Sequence, residues 1–154
     1  LNYLGSEYKI PIIFSTHPRT RNKLHQEKTK LNKYIKILKP QGYFDYVKLQ
    51  INAKLVLSDS GTISEESSIL NFPAINIREA HERPEAMEEA AVMMSGLDYE
   101  RINQCISIIE NEKKNKTGPH KIVRDYSSQN VSQKVLRIIQ SYTDYINRKV
   151  WKKY

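Results

Sequence analysis

The sequence predicts an α/β fold, a Rossmann-like parallel sheet with helices on both faces. Three observations carry that expectation. Short apolar runs recur at residues 10–15, 35–38, 55–57, 74–77 and 92–94. Longer stretches of helical spacing or helix-favouring polar composition lie between them. Most runs lead into turn-forming or polar residues. Strands that alternate with helices are joined by crossovers, and crossovers make parallel sheets.

The elements follow in order. The opening residues read as the end of a helix. Residues 10–15 form the first strand, with Pro11 near its start, where a missing donor is tolerated. The polar stretch 19–33 reads as a surface helix, and 35–38 as the second strand. Gly42 precedes a helix with apolar positions at Phe44, Val47, Leu49 and Ile51. Residues 55–57 form the third strand. The next helix begins near Thr62 and runs to Leu70, stopped by Asn71 and Pro73. Strand four is 74–77, a short helix covers 85–90, and strand five is 92–94. Residues 99–112 are helical, with Ile102, Ile106 and Ile109 on one face. Residues 113–119 form a turn-rich loop. Residues 127–153 form one or two long helices carrying Val131, Val135, Ile138, Ile139, Tyr142 and Ile146.

Length and composition bound the function. The chain has 154 residues, the size of one domain with a real core, and carries 27% charged residues. No apolar run approaches the roughly 20 residues that span a bilayer, and the first residues lack the pattern of a secretion signal. The single cysteine, Cys105, cannot form an internal disulfide and reads as a small core side chain. A cytoplasmic address without membrane association is the expectation. The net charge is +8. Such a balance suits nucleic acid or phosphorylated metabolites, but the basic residues are not in one block: many lie at 19–39 and another group at 148–153, and the acidic ones concentrate between Asp59 and Glu100.

In open parallel sheets, ligands bind outside the carboxyl ends of the strands. That rule selects three places: residues 15–17, 58–61 and 78–85. In the second, Asp59-Ser60-Gly61-Thr62 links a strand to a helix. Gly61 admits a close backbone approach, Ser60 and Thr62 bring hydroxyls, and helix amides point outward, which suits a phosphate. Glu66, one turn on, can accept two hydrogen bonds from a diol. A simple capped helix, with Ser60 or Thr62 as cap, explains the same residues. In the first place, His17 stands at a strand mouth as a candidate acid, base or phosphate contact, beside Arg19 and Arg21. It also fits a histidine that caps the strand or is merely exposed. In the third, Arg83 can hold a diphosphate, Glu82 and Glu85 can orient it, and Pro84 suits a helix start. A charged surface loop is the plain alternative. Tyr43, Phe44 and Tyr46 offer rings for a nucleobase or for the core. The four histidines are scattered, and no cluster has metal-ligand spacing.

The residues 58–66, then Phe72-Pro73-Ala74, then Glu82-Arg83-Pro84-Glu85-Ala86 resemble the C-terminal domain of non-hydrolysing UDP-N-acetylglucosamine 2-epimerases. The pattern there is an Asp-Ser-Gly-Gly-x-x-Glu-Glu loop followed by Glu-Arg-Pro-Glu. Residues 15–21, the Thr62 form of the loop and the tail 141–151 are most similar to the branch that makes UDP-N-acetyl-L-fucosamine for capsule or O-antigen.

The resemblance implies the C-terminal half of a GT-B-type two-domain fold, one UDP-binding domain over 1–154 ending in a helical segment at about 127–153. It implies a UDP-sugar ligand, no cofactor, no metal, and an N-terminal catalytic half not present in these residues. Full-length family members dimerise. Ser60, Gly61 and Thr62 would meet the diphosphate, Glu66 the ribose, Arg83 the nucleotide and Tyr46 the uracil. His17 would contact the substrate as the catalytic residue of this half. Arg19, Arg21 and Glu82 are candidate diphosphate or sugar contacts. Two departures stand out. The family's His-Arg-Arg-Glu-Asn is His17-Pro18-Arg19-Thr20-Arg21 here, and its second loop glycine is Thr62. Two rival functions remain in view, the donor-binding domain of a GT-B glycosyltransferase and, more remotely, a basic nucleic-acid-binding module.

Overall fold

The computed structural model describes residues 1–115 and 122–153, which divide into two compact units, 1–52 and 53–154. Its elements alternate strand and helix, and every strand pair is parallel, in keeping with the α/β class.

The first unit holds α1 (Asn2–Tyr8), β1 (Ile12–Ser15), α2 (Pro18–Gln26), β2 (Ile35–Leu38) and α3 (Tyr43–Ile51). β1 pairs with β2 in the register Ile12 to Ile35 through Ser15 to Leu38. Asn2 ties α1 to the segment before β2. Its Oδ1 accepts from the Asn32 N–H at 2.8 Å and its Nδ2 donates to the Lys30 carbonyl at 2.8 Å. Gly5 leaves room at this crossing, because a Cβ there would lie 3.0 Å from Asn32 Cγ and would press on that side chain.

The helix expected to run to Lys33 stops at Gln26. Glu27 closes it, Lys28 takes a left-handed φ of 48°, and the chain then turns towards the Asn2–Asn32 contact. A polar helix with no buried residue has little tertiary support for further turns.

The second unit holds β3 (Val56–Ser58), α4 (Ile63–Leu70), β4 (Ala74–Asn76), α5 (Pro84–Glu88), β5 (Met93–Met94), α6 (Tyr99–Asn115), a 3-10 turn (Arg124–Ser127) and α7 (Val131–Lys149). The sheet order is β3-β4-β5. Ile63, Phe72, Ala74 and Val92 form its core, with Val56 and Leu70 packed against them. α4 ends as expected: Asn71 adopts φ 54° and its N–H returns to the Ser67 carbonyl. Asn76 is buried in β4, and its Oδ1 accepts from the Arg78 N–H at 3.0 Å, which turns the chain out of the strand.

Two boundaries differ from expectation. α6 continues through Lys113 and Lys114 to Asn115, because lysines in a last turn suit the helix dipole. The rest of the expected loop, 116–119, lies outside the described residues. The C-terminal helix begins at Val131 rather than Ser127, because residues 124–127 form the separate 3-10 turn. Val123, just before that turn, is buried, and its N–H donates to Ser68 Oγ of α4 at 2.9 Å. Cys105 is buried in α6 as a core side chain, and burial pushes its thiol up from the ordinary range.

Candidate functional site

The second unit gathers the predicted loop residues at the carboxyl ends of β3 and β4. Ser58 ends β3, and its Oγ accepts from the Ser60 N–H at 3.1 Å. Thr62 holds the N-cap position of α4 and makes no cap bond of its own, but Ser60 Oγ accepts the Thr62 N–H at 3.4 Å, as a serine cap would. The hydroxyls also form a chain. Ser60 Oγ lies 3.0 Å from Thr62 Oγ1, and Thr62 Oγ1 donates to Glu66 Oε1 at 2.8 Å. Glu66 is thereby aimed back at the loop.

Gly61 sits beneath the loop that follows β4. A Cβ there would lie 3.2 Å from Glu82 Oε2 and 3.8 Å from Arg78 Nη1. Arg78 Nη2 donates to Glu82 Oε1 at 2.7 Å. This hydrogen bond and the guanidinium charge hold the Glu82 carboxyl below its usual range. Arg83 points to α4, where its Nε donates to Glu65 Oε1 at 2.5 Å. That bond raises the Arg83 guanidinium above its already high range. The other Glu65 oxygen is buried and has no hydrogen-bond partner among the described residues.

A third pair braces α5. Tyr126 Oη donates to Glu85 Oε1 at 2.8 Å across 41 residues of sequence. Glu85 is held below its usual range by its own backbone N–H first and by Tyr126 second. Burial, then the Glu85 hydrogen bond, pushes the Tyr126 phenol well above the ordinary tyrosine range. Arg78 thus borders a turn that offers hydroxyls and a helix N-terminus, with Glu66 one turn away and Arg83 paired to Glu65 on the same helix. This constellation suits a phosphorylated ligand that also carries hydroxyls.

The first unit places the remaining candidates at the carboxyl end of β1. His17 is the N-cap of α2, and its Nδ1 accepts from the Arg19 N–H at 3.3 Å, with Pro18 as the first helical residue. Arg19 is exposed. Arg21 turns to Thr16, a buried residue, with Nη2 donating to Oγ1 at 3.2 Å. Tyr46 is half-buried on α3, whereas the Tyr43 and Phe44 rings are 74% and 85% exposed. Those two rings meet edge to face, and most of their surface faces solvent.

Sequence reasoning passed over Glu65 as Arg83's partner, Tyr126 as Glu85's, and Arg78 as more than the edge of a region. Arg78 carried one usable signal: it follows Asn76, the turn-forming residue at the end of β4.

The description of the UDP-N-acetylglucosamine 2-epimerase family matches residues 1–140. The chain belongs to this family. Its fold is similar to that of a UDP-N-acetylglucosamine 2-epimerase from Rickettsia bellii, with a TM-score of 0.86 and 51% identity over 98% of this chain and 42% of that one. It is also similar to the Methanocaldococcus jannaschii UDP-GlcNAc 2-epimerase solved in complex with UDP-GlcNAc and UDP, with a TM-score of 0.74 and 35% identity over 90% of this chain and 38% of that one. A UDP-N-acetylglucosamine 2-epimerase of the same organism is 41% identical over 116 residues, 73% of this chain and 32% of its own length. The chain thus spans about a third of the curated epimerases that it matches. These epimerases share the GT-B-type architecture expected from the sequence, and family membership sets the chain apart from the glycosyltransferases of that architecture.

Among the described residues of this family member, no helix is long and apolar enough to cross a membrane. No three His, Cys, Asp or Glu side chains among them gather as metal ligands would.

Proposed function

We propose that this chain is the UDP-binding part of a UDP-N-acetylhexosamine 2-epimerase, acting as one nucleotide-binding domain. The observation that supports this best is the turn at Ser60-Gly61-Thr62. It offers a helix N-terminus and two hydroxyls between Arg78 and Glu66. On this reading the turn meets the diphosphate, Glu66 accepts the ribose hydroxyls and Arg83 reaches the nucleotide. Tyr46 stacks on uracil, and His17 touches the sugar or diphosphate as the catalytic residue of this part. Arg19 and Arg21 are further candidate contacts, and Glu82 stands beside the turn as the partner of Arg78.

The reaction inverts C2 without a redox change. A base takes the C2 proton, the C1–O bond breaks with its electron pair leaving on the UDP oxygen, and a C1=C2 double bond forms in the 2-acetamidoglycal. UDP then adds back while a proton arrives on the opposite face. This chain's task is to hold UDP as its charge develops, through amides and guanidiniums that need no rearrangement. The groups that handle the C2 proton belong to an N-terminal half. The apolar stripe of α7, with Val135, Ile138, Ile139 and Tyr142 facing solvent, is the kind of surface such a half would cover. Without it the chain binds UDP and does not turn over. The complete enzyme dimerises, works in the cytoplasm, and serves UDP-N-acetyl-L-fucosamine synthesis for capsule or O-antigen. The residues 15–21 and 141–151 support that branch.

Calorimetric titration of the chain with UDP tests the reading. Saturable binding is expected, weakened about tenfold or more by Glu66→Ala, the loss typical of hydrogen bonds to a charged group. Binding that survives Glu66→Ala unchanged would remove the nucleotide from this turn. Turnover of a UDP-N-acetylhexosamine by these 154 residues alone would overturn the division of labour.

A further inference from the structure

Arg78 and Arg83 both lie after β4, but their carboxylate partners differ in kind. Glu65, the partner of Arg83, belongs to α4, is 28% exposed, and has one oxygen wholly shut from solvent. It is part of the framework. Glu82, the partner of Arg78, sits in the loop between β4 and α5 and is 55% exposed. Exposed ion pairs of this sort contribute little to stability and exchange partners readily.

Position gives the loose pair its meaning. Glu82 Oε2 lies 3.2 Å, and Arg78 Nη1 3.8 Å, from where a Gly61 Cβ would be. A carboxylate and a guanidinium therefore stand over the one residue of the turn that lacks a side chain. The base of Arg78 is fixed, because its N–H is held by the buried Asn76. Only the end of the side chain needs to change partner. A carboxylate and a phosphate present the same face to a guanidinium, two oxygens matched to two N–H groups, and a diphosphate carries more charge.

We propose that Arg78 is a further diphosphate-binding residue, and that Glu82 occupies its guanidinium until the ligand arrives. The inference rests on the reading of the Ser60–Thr62 turn as a UDP site and adds a residue and an exchange to it. The free chain keeps Arg78 over Gly61 with Glu82 as an internal anion. The diphosphate takes the place of that carboxylate, and Glu82 moves outward into solvent.

Titrations with UDP and with uridine, which lacks the diphosphate, test this, with thermal melts to establish folding. Arg78→Met is expected to weaken UDP binding about tenfold, the loss typical of a charge-assisted hydrogen bond, and to leave uridine binding unchanged. Arg78→Lys retains part of the affinity, because the charge stays while the fork is lost. Glu82→Gln removes the competing charge and is expected to tighten UDP binding severalfold. It decides the question even if Arg78→Met does not fold.

Equal loss for UDP and uridine in Arg78→Met would show that Arg78 supports the fold and would overturn the inference. So would unchanged or weaker UDP binding in Glu82→Gln. Wild-type binding of UDP that Arg78→Met leaves intact would overturn the inference alone. No UDP binding by the wild-type chain would overturn the reading of the turn, and the inference with it.

Discussion

Two strand-to-helix turns in this molecule solve the same problem in different ways. At the end of β1, the His17 imidazole accepts the Arg19 N–H at 3.3 Å and Pro18 removes another free donor. At the end of β3, Ser60 Oγ accepts the Thr62 N–H at 3.4 Å, Thr62 makes no cap bond, and the Ser60 and Thr62 hydroxyls bond to each other and to Glu66. The first turn uses its polar side chain for its own helix. The second shares its hydroxyls between the helix start and Glu66. A helix start of this kind, beside the Arg78 guanidinium, has the features that favour an anion.

The largest effect should come from filling the second turn. Gly61→Val places a branched side chain against Glu82 and Arg78, and UDP binding should fall below detection in calorimetry while the chain still melts cooperatively. Retained binding would mean that the ligand does not approach this backbone.

A smaller effect should come from the brace behind the turn. Tyr126→Phe removes the hydrogen bond to Glu85 and is expected to lower the melting midpoint by about 2–4 °C, the equivalent of one ordinary hydrogen bond in a chain of this size. The phenol's raised range sets the sign of its pH dependence. Its contribution is complete below the ordinary tyrosine range near 10 and is lost as the pH rises above it. Wild type and variant should therefore converge in strongly alkaline melts, and a gap that widened with pH would contradict the assignment.

The smallest effect belongs to the first turn. His17→Ala should cost about 0.5 kcal/mol, as for a weak helix cap, and His17→Asn should restore it, because asparagine caps equally well. If the His17→Asn variant melts like His17→Ala, the imidazole is not acting as a cap.

Much of this was legible in the sequence for identifiable reasons. Helix α4 could be bounded to within a residue because Asn71 and Pro73 are local stop signals. The strand-end rule picked the turn at 58–61 and the segment 78–85 from apolar runs alone. Those signals are short-range. Two of the side-chain contacts that organise the site are not. Glu65 meets Arg83 across 18 residues and Glu85 meets Tyr126 across 41, and no local pattern selects those partners among the chain's many charged residues. The end of α2 was misplaced for a related reason. Residues 27–33 have helix-friendly composition, but the Asn2–Asn32 contact, 30 residues apart, decides their path.

The sheet topology also bears on how the chain finds its fold. Among the described residues, each strand pairs with a sequence neighbour: the register sets Val56 against Ala74, Ile75 against Met93 and Ile12 against Ile35. These separations are about 20 residues, and loop-closure cost grows only slowly with length. Parallel sheets built from distant strands are slow to assemble, whereas these need only one crossover per pairing. The Ser60–Thr62 turn lies inside such a crossover, between β3 and β4. Its frame therefore depends on a pairing of sequence neighbours, Val56 with Ala74, at a low loop-closure cost.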